Sequence, residues 1–279
     1  MSPRRATFLL LAPCLLVLLA LFVAPQLLML EASLGRRSTY GAVVHDWSLV
    51  NYWRAFDPLY LGIFARSVLL ALGTTLACLL LGWPVAYWLG VKVEERLRGA
   101  LLVLVILPFW TSFLVRMYAW IVLLRSEGPL RLGLEALGLP APELLYTDAA
   151  VLLGQVYGEL PFMILPLYAV TSRLDRGLLE AASDLGATPL ARLLRVTLPL
   201  TLPGIAAGCV LVFVPSLGAY LAPDLLGGAR TAYVGTLIQS QFAVARDAPF
   251  GSALSFLLSL LVLGLLLLFR RPLRAAEAS

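Results

Sequence analysis

Six long apolar stretches restrict the fold more than any other feature of this sequence. A helix needs about 20 apolar residues to cross the hydrocarbon core of a bilayer. The stretches are continuous rather than alternating, which favours helices over strands, because a helix satisfies its own backbone in lipid. We therefore predict an all-α polytopic membrane protein with six transmembrane helices. The predicted spans are Phe8–Leu30, Ser67–Leu89, Ala100–Leu124, Ala149–Val170, Gly204–Leu226 and Ser252–Phe269.

The composition supports a lipid environment for most of the chain. Of its residues 61% are hydrophobic and 13% are charged, whereas soluble domains carry roughly half apolar and a quarter charged residues. The net charge of +5 is spread between the apolar blocks. Basic residues in such positions fix orientation in a membrane, and no segment offers the basic face that nucleic acid would need. We predict the lipid bilayer as a partner and no nucleic acid.

The first apolar stretch resembles a signal peptide at its edges. Arg4 and Arg5 precede it, and Ala32-Ser33 has the small residues of a cleavage site. Its apolar run is longer than the roughly 7–15 residues of a signal core. We interpret it as an uncleaved helix.

The basic residues predict the orientation of the spans. With both termini in the cytoplasm, the inside segments hold twelve Lys and Arg residues and the outside loops hold seven, which agrees with the positive-inside rule. The inside residues are Arg4, Arg5, Lys92, Arg96, Arg98, Arg173, Arg176, Arg192, Arg195, Arg270, Arg271 and Arg274. The outside residues are Arg36, Arg37, Arg54, Arg125, Arg131, Arg230 and Arg246.

Residues for catalysis or ATP hydrolysis are missing from the sequence. Its single lysine, Lys92, has no Gly-rich turn before it and no Ser or Thr after it, so there is no P-loop. The single histidine, His45, rules out a paired-histidine metal motif, and we interpret it as a solvated loop residue. The isolated Cys14, Cys78 and Cys209 are typical of small apolar residues. We predict no enzyme activity, no catalytic residue, no cofactor and no metal site.

The segment 172–203 is too polar to span a membrane and too apolar to be a free loop. Ser172 is placed to cap a first short helix, with Asp175 at its third position. Gly186 is placed to end that helix in a left-handed turn. Ala181 and Ala182 would keep the helix thin enough for another surface to approach closely.

A second short helix is predicted after the turn. Thr188 would cap it, with Pro189 at its first position, and Pro199 and Pro203 would stop it. Four residues at helical spacing would face the bundle, namely Leu190, Leu193, Leu194 and Thr197. An amphipathic helix lying on the membrane surface is the alternative that the local physics leaves open.

The same segment resembles the signature loop, or EAA loop, of permease subunits of ABC importers. Its matching residues are Glu180, Ala181, Ala182, Gly186, Val196 in place of the usual Ile, Leu198 and Pro199. The resemblance implies the type I importer (MetI-like) fold and a loop that docks on an ATPase. It also implies three partners: a dimeric cytoplasmic ABC ATPase, a second permease subunit and a periplasmic solute-binding protein. The implied parts are an N-terminal helix and periplasmic loop at 1–60, the permease core at 61–271 with coupling loop 172–203, and a cytoplasmic tail at 272–279.

Further segments are similar to the spermidine/putrescine (PotB-type) branch of these bacterial inner-membrane permeases. They are Leu107–Arg116, Leu160–Tyr168 and Leu225–Gly228, and the similarity runs from about Tyr52 to Arg271. The resemblance implies a small-molecule substrate, either a polyamine or a related organic solute.

A path for a polycation should present carboxylates and aromatic faces. The candidates in the predicted spans are Trp110, Arg116, Tyr118, Glu159, Tyr220 and Asp224. An unpaired Arg116 would repel a cation. Arg116 and Glu159 either line the path or pair with each other between the third and fourth spans, and we favour pairing.

A self-sufficient secondary carrier or channel for a small organic solute is the alternative function. It shares the absence of a P-loop, but it has no use for a docking loop with this spacing. A gradient-driven carrier usually buries ionisable relay groups at the middle of the membrane. Arg116 and Glu159 are the two good candidates for such groups in this sequence.

Overall fold

The computed structural model describes residues 3–38, 43–44, 46–140, 142–228 and 232–277. The predictions made for His45 and Arg230 concern residues outside these ranges. The α-helices are α1 Pro3–Leu18, α2 Ala24–Ser33, α3 Val50–Ala55, α4 Pro58–Tyr87, α5 Glu95–Ile106, α6 Phe113–Leu124, α7 Pro129–Ala136, α8 Asp148–Thr171, α9 Arg176–Asp184, α10 Pro189–Arg192, α11 Leu198–Gly218, α12 Val234–Ala243 and α13 Ala248–Glu277. The described chain also contains two short antiparallel strands, β1 Arg36–Arg37 and β2 Val43–Val44.

Five helical runs in the described chain are long and apolar enough to cross a membrane. They are Leu11–Ser33, Pro58–Lys92, Asp148–Thr171, Pro189–Gly218 and Ala248–Leu267. A sixth, made of Glu95–Trp110 and Phe113–Ala136, meets the same test only as a pair bent by 87°. The prediction of an all-α polytopic membrane protein is confirmed, and the six predicted spans correspond to these five runs and the bent pair.

The third predicted span, Ala100–Leu124, is not one straight helix. After α5 the chain tightens into a 3₁₀ turn at Leu107–Trp110, and Thr111 is extended. Pro108 has no N–H for a helical bond, and the Thr111 hydroxyl donates a 2.8 Å hydrogen bond to the Pro108 carbonyl. These local bonds replace the helical ladder at the break, so the predicted span is a bent pair of helices rather than a single helix.

The fifth predicted span, Gly204–Leu226, is wrong at both ends. Its helix begins upstream at Pro189, within the predicted coupling loop 172–203, and ends at Gly218, where the extended Ala219 follows. Gly235 packs directly against the carbonyls of Gly218 and Ala219, closer than any side chain at that position would allow. The chain then makes a separate π-helical turn at Pro223–Gly227.

The first of two compact units comprises Met1–Gly62 and Leu237–Leu263. The buried Asn51 amide donates 2.8 Å hydrogen bonds to two carbonyls at the end of α2, those of Ser33 and Gly35. Arg54 forms a 2.8 Å ion pair with Asp247 and also lies 3.9 Å from the centre of the Phe250 ring. Burial lowers the pKa of Arg54, but its hydrogen bonds and charge interactions, of which the bond to Asp247 is the largest, together outweigh this effect, and the pKa of Arg54 is raised in total.

The second unit comprises Ile63–Thr236 and Gly264–Ser279. Its centre is an antiparallel pair, α8 and α11, which glycines hold at very short range. A Cβ at Gly204 would lie 3.0 Å from the Pro166 carbonyl oxygen, and one at Gly208 would lie 2.6 Å from the Met163 sulfur. Small residues that allow such close approach are typical of helix pairs in membranes. Buried side chains of α4 pack on the same pair, including Cys78 and Ala86.

Candidate functional site

The predicted coupling loop, residues 172–203 and from here on the coupling segment, begins with a capped helix, although the cap differs from the predicted one. Asp175, not Ser172, is the N-cap of α9, and the Gly177 N–H donates a 2.8 Å hydrogen bond to its carboxylate. Ser172 instead adjoins the last turn of α8. The prediction failed by one turn because α8 runs on to Thr171 and leaves four residues between the two helices.

The elbow after α9 has the geometry that the sequence predicts. Gly186 has φ +80°, a left-handed conformation that glycine adopts without steric cost. Its N–H donates to the Ser183 carbonyl (2.9 Å), and the Ala187 N–H reaches back to Ala182 (3.0 Å). These two bonds are the pair that defines a Schellman motif. They fix the direction in which the chain leaves the helix.

The second helix begins as predicted but does not stop at the prolines. The Ala191 N–H donates a 3.2 Å hydrogen bond to the Thr188 hydroxyl, and Pro189 is the first residue of α10. The helical run then continues through a π-helical turn at Leu193–Thr197 into α11, so Pro199 and Pro203 lie inside it. The elbow is therefore joined to a membrane-crossing helix without a flexible link.

Two side-chain contacts fix the coupling segment to the rest of its unit. A Cβ at Gly90 would meet the Thr171 hydroxyl at 2.5 Å, and that hydroxyl donates a 2.9 Å bond to the Ala86 carbonyl. At the other end, the indole N–H of Trp83 donates a 3.3 Å hydrogen bond to the buried Thr201 hydroxyl. Both ends of the segment are thus attached to the C-terminal end of α4, which we predict to lie on the cytoplasmic side.

The outer surface of the segment is exposed in the part of the chain that the structure describes. Glu180 and Ala181 are exposed and Ala182 is half-buried. Leu185, just before the elbow glycine, is 88% exposed. On the second helix Thr197 is buried and Leu193 half-buried, whereas Leu190 and Leu194 are exposed, so half of the predicted inward face was wrong. The remaining matching residues lie where the helix enters α11: Val196 and Leu198 are half-buried and Pro199 is exposed.

Four of the six predicted path residues do not form a cluster within the chain. Trp110, Tyr118, Tyr220 and Asp224 are all exposed. In the part of the chain that the structure describes, their side chains make no hydrogen bond, ion pair or ring contact. These four side chains lie on the outer surface of the described chain.

The other two, Arg116 and Glu159, lie together in the interior. The Arg116 guanidinium carbon is 5.0, 5.3 and 5.8 Å from the ring centres of Phe109, Phe113 and Tyr157. Arg116 acts electrostatically on Glu159. The predicted direct ion pair is absent between these two described residues, because no nitrogen–oxygen distance falls within 4.0 Å.

Several buried polar atoms lack a hydrogen-bond partner in the described chain. They are Arg116 Nε and Nη1, Glu159 Oε2, Gln155 Nε2, Ser216 Oγ and Thr74 Oγ1. Unpaired buried polar groups are costly and rare. One spacing could have indicated part of this set: Gln155 precedes Glu159 by four residues, which puts both on one face of α8.

A second polar cluster lies at the first turn of α8. Arg66 Nη2 donates to both Asp148 oxygens (2.8 and 2.6 Å), and the Tyr233 hydroxyl donates to the same carboxylate (2.6 Å). Burial, and next the hydrogen bond to Asp148, raise the pKa of Tyr233. The Ser67 hydroxyl accepts a 2.8 Å bond from the Val234 N–H. These contacts bind the start of α4, the start of α8 and the segment before α12 together.

Comparison with known families decides the identity of this helical arrangement. A model of the family described as "Binding-protein-dependent transport system inner membrane component" matches residues 79–271, more than half of the chain. The chain belongs to this permease family. It is accordingly a multi-pass inner-membrane permease of the ABC importer class, with a transport role rather than a catalytic one.

Individual relatives show which transport permeases this chain is similar to. It is 44% identical to the spermidine/putrescine transport system permease protein PotB of Escherichia coli (strain K12) over 253 residues, 90% of this chain and 91% of that protein. It is 44% identical to PotB of Haemophilus influenzae over 88% of this chain and 87% of that protein. The molybdenum transport permease ModB of Mycobacterium bovis is 35% identical over 80% of this chain and 84% of its own length.

Solved structures confirm the fold of the permease. A chain of a bacterial alginate ABC transporter, crystallised with an alginate-bound periplasmic protein, matches with a TM-score of 0.77 and 18% identity. That match covers 96% of this chain and 95% of the other. A chain of the MetNI methionine ABC transporter matches with a TM-score of 0.56 over 79% of this chain and 99% of its own. The predicted type I (MetI-like) permease fold is thereby confirmed.

Proposed function

We propose that this permease carries polyamines, spermidine or putrescine, through a path that it forms with a second permease subunit. The observation that carries the proposal is the 44% identity to PotB over about nine-tenths of both chains. Two features of this chain support a cationic solute: an interior carboxylate, Glu159, without a hydrogen-bond partner at Oε2, and aromatic rings beside it that already hold a cation. Carboxylates and aromatic faces are the groups that attract organic cations.

The segment 172–203 is the coupling element of this proposal. A dimeric cytoplasmic ATPase contacts its exposed surface around Glu180, Ala181 and the Gly186 elbow. Closure of the ATPase displaces the elbow, and the continuous helix Pro189–Gly218 carries that displacement into the membrane. A periplasmic binding protein delivers the solute from the other side.

As part of the same proposal, both termini lie in the cytoplasm. This orientation supports a cytoplasmic position for Lys92, Arg173 and Arg192 around the coupling segment, in agreement with the excess of basic residues on that side. Residues 61–271 form the permease core, residues 1–60 the N-terminal helix and outer loop, and residues 272–279 the tail.

The substrate is tested by expressing the chain with its partner subunits in a strain that lacks its own polyamine uptake. We expect uptake of labelled spermidine or putrescine that requires ATP hydrolysis and the binding protein. Uptake of neither polyamine by a correctly assembled complex would refute the substrate assignment.

The coupling role is tested separately with Glu180→Lys, which reverses an exposed charge without changing the fold. We expect assembly of the membrane subunits, weaker association of the ATPase and reduced uptake. The matched control is Asp184→Lys, because Asp184 ends the same helix and is exposed as well. Equal effects of the two changes would assign the loss to net charge rather than to the position of Glu180.

A further inference from the structure

The aromatic residues around Arg116 form a cage of the kind that binds organic cations. Phe109 and Phe113 come from the two sides of the break in the third span, and Tyr157 comes from α8. The three ring centres lie 5.0–5.8 Å from the guanidinium carbon, within the roughly 6 Å range of cation–π attraction. Phe113 packs on the backbone of α8, where a Cβ at Gly158 would meet it at 2.8 Å.

The carboxylate beside the cage is not neutralised by contact. Glu159 feels the charge of Arg116, but its Oε2 has no hydrogen-bond partner and neither do Arg116 Nε and Nη1. Arg116 is 8% exposed. Complementary charged groups in a buried site normally close to hydrogen-bond distance, since an unpaired buried charge is expensive. Here the cation is held by rings and the anion is left open.

More unpartnered polar atoms continue from the cage along α8. Gln155 is 1% exposed, lies one turn from Glu159 and has no partner for Nε2. The stagger that brings Gly208 to Met163 places Ser216, eight residues further along the antiparallel helix, level with Gln155. Ser216 also lacks a partner for its hydroxyl. An elongated molecule with several amino groups would find hydrogen-bonding groups beyond the first ammonium position.

We infer that Phe109, Phe113, Tyr157 and Glu159 form a cation-binding site whose resting occupant is the guanidinium of Arg116, and that an ammonium group of the solute takes its place. Arg116 is therefore a built-in competitor that sets which cations enter. A solute amine gains both the aromatic faces and the open carboxylate, whereas Arg116 in its resting position lies on the rings and makes no direct ion pair with Glu159. The inference rests on the proposed function for the identity of the solute, but the cage itself can be tested without it.

The test of the cage is chemical rescue of Arg116→Ala in the assembled transporter complex. Methylguanidinium reproduces the planar cation that the substitution removes. We expect millimolar methylguanidinium to raise the melting temperature of the Arg116→Ala complex and to leave that of the wild type unchanged. Arg116→Ala/Glu159→Gln should lose this response. Rescue that is absent, or equal in the wild type, would overturn the inference.

The exchange step is tested by uptake kinetics. Removing a competitor raises the fraction of open sites, and the apparent dissociation constant falls by that same factor. We expect the KM for polyamine uptake to fall about tenfold in Arg116→Ala and to remain near the wild-type value in Arg116→Lys, which keeps a competing cation. An unchanged or raised KM in Arg116→Ala would contradict the exchange. If Arg116→Ala does not assemble, Arg116→Gln is used in both assays with the same criteria.

The two hypotheses fail in different ways. A complex that transports neither polyamine refutes the proposed substrate, while methylguanidinium rescue still reports the cage. A complex that transports polyamines but shows neither rescue nor a lower KM refutes the resident-cation inference and leaves the proposed function intact.

Discussion

Substituting the elbow glycine isolates one physical term, the backbone conformation. Gly186 has φ +80°, and a Cβ built there meets nothing within 4 Å. Crowding therefore contributes nothing, and the whole penalty of an alanine comes from the left-handed backbone, about 1–2 kcal/mol. Asparagine tolerates that region better, and a β-branched valine tolerates it worst. The expected order of elbow stability is Gly, Asn, Ala and then Val.

The expected effect on docking follows from that energy. A penalty of about 1–2 kcal/mol changes a population about 5–30-fold, so Gly186→Ala should weaken ATPase binding to the permease by up to that factor. The measurement is the dissociation constant of the purified ATPase for the membrane subunits, with uptake per ATP hydrolysed as a second readout. Uptake per ATP should fall in the same order as the binding constant.

A matched control separates the elbow from general effects of adding a methyl group. Gly99 lies inside α5, and a Cβ there also meets nothing within 4 Å. In a helix interior alanine is favoured over glycine by about 0.5–1 kcal/mol, so Gly99→Ala should bind the ATPase as the wild type does. Equal binding by the wild type, Gly186→Ala and Gly186→Val would refute the rigid-elbow reasoning.

Three further predictions concern stability; the first two are measured as a melting temperature of the purified protein in detergent, and the third by limited proteolysis. Gly204→Ala should lower the stability of the protein by about 1–3 kcal/mol, which is more than the loss expected for Gly208→Ala. The added Cβ at Gly204 would meet backbone atoms of α8, whereas the nearest atom at Gly208 belongs to the flexible side chain of Met163. The reverse order would contradict the packing. Ser67→Ala should cost about 1–3 kcal/mol, because it leaves the buried Val234 N–H without an acceptor, and Ser67→Thr should recover part of that loss. Asn51→Leu should release two carbonyls at the end of α2 and increase proteolysis near β1, and an unchanged cleavage pattern would show that these bonds do not hold the loop.

The features predicted well from the sequence are those decided by neighbouring residues. The apolar stretches give the number and approximate place of the spans, and Thr188 and Gly186 give the caps of the coupling segment. Each depends on contacts within a few positions along the chain, such as the bond from Ala187 to Ala182. Partial charges at helix ends and the conformational freedom of glycine act at that range.

The prolines show why the helix ends were predicted less well. A proline clashes with the carbonyl four residues earlier, which for Pro25 and Pro199 belongs to Leu21 and Arg195. Both of those residues lie inside π-helical turns, Leu19–Val23 and Leu193–Thr197. The wider turn accommodates the proline, and the helix continues. Whether a chain breaks or widens at a proline depends on what packs against that turn, which the local sequence does not state.

The interior polar cluster could not be predicted because it depends on contacts between distant parts of the chain. Direct pairing of Arg116 with Glu159 is the simplest expectation from two opposite charges in neighbouring spans. The structure instead holds Arg116 on aromatic rings, one of which, Phe109, is brought to it by the break in the third span. A prediction from the sequence does not contain the bend at 111–112, so it does not contain the cage either. Direct pairing with Glu159 is then the only contact left to predict for Arg116.

The contrast between glycine packing and ring contacts indicates where the permease moves. From Pro189 to Ser216 the chain is helical without a break, a distance of about 40 Å at 1.5 Å per residue. Gly204 and Gly208 lock this run onto α8, so a displaced elbow should move both helices together. Cation–π contacts are worth only about 0.5–2 kcal/mol each, and one of them joins Arg116 on α6 to Tyr157 on α8. We therefore expect the elbow to act on the solute by separating Tyr157 and Glu159 from the α6 side of the cage, which is the movement that would release a bound ammonium group.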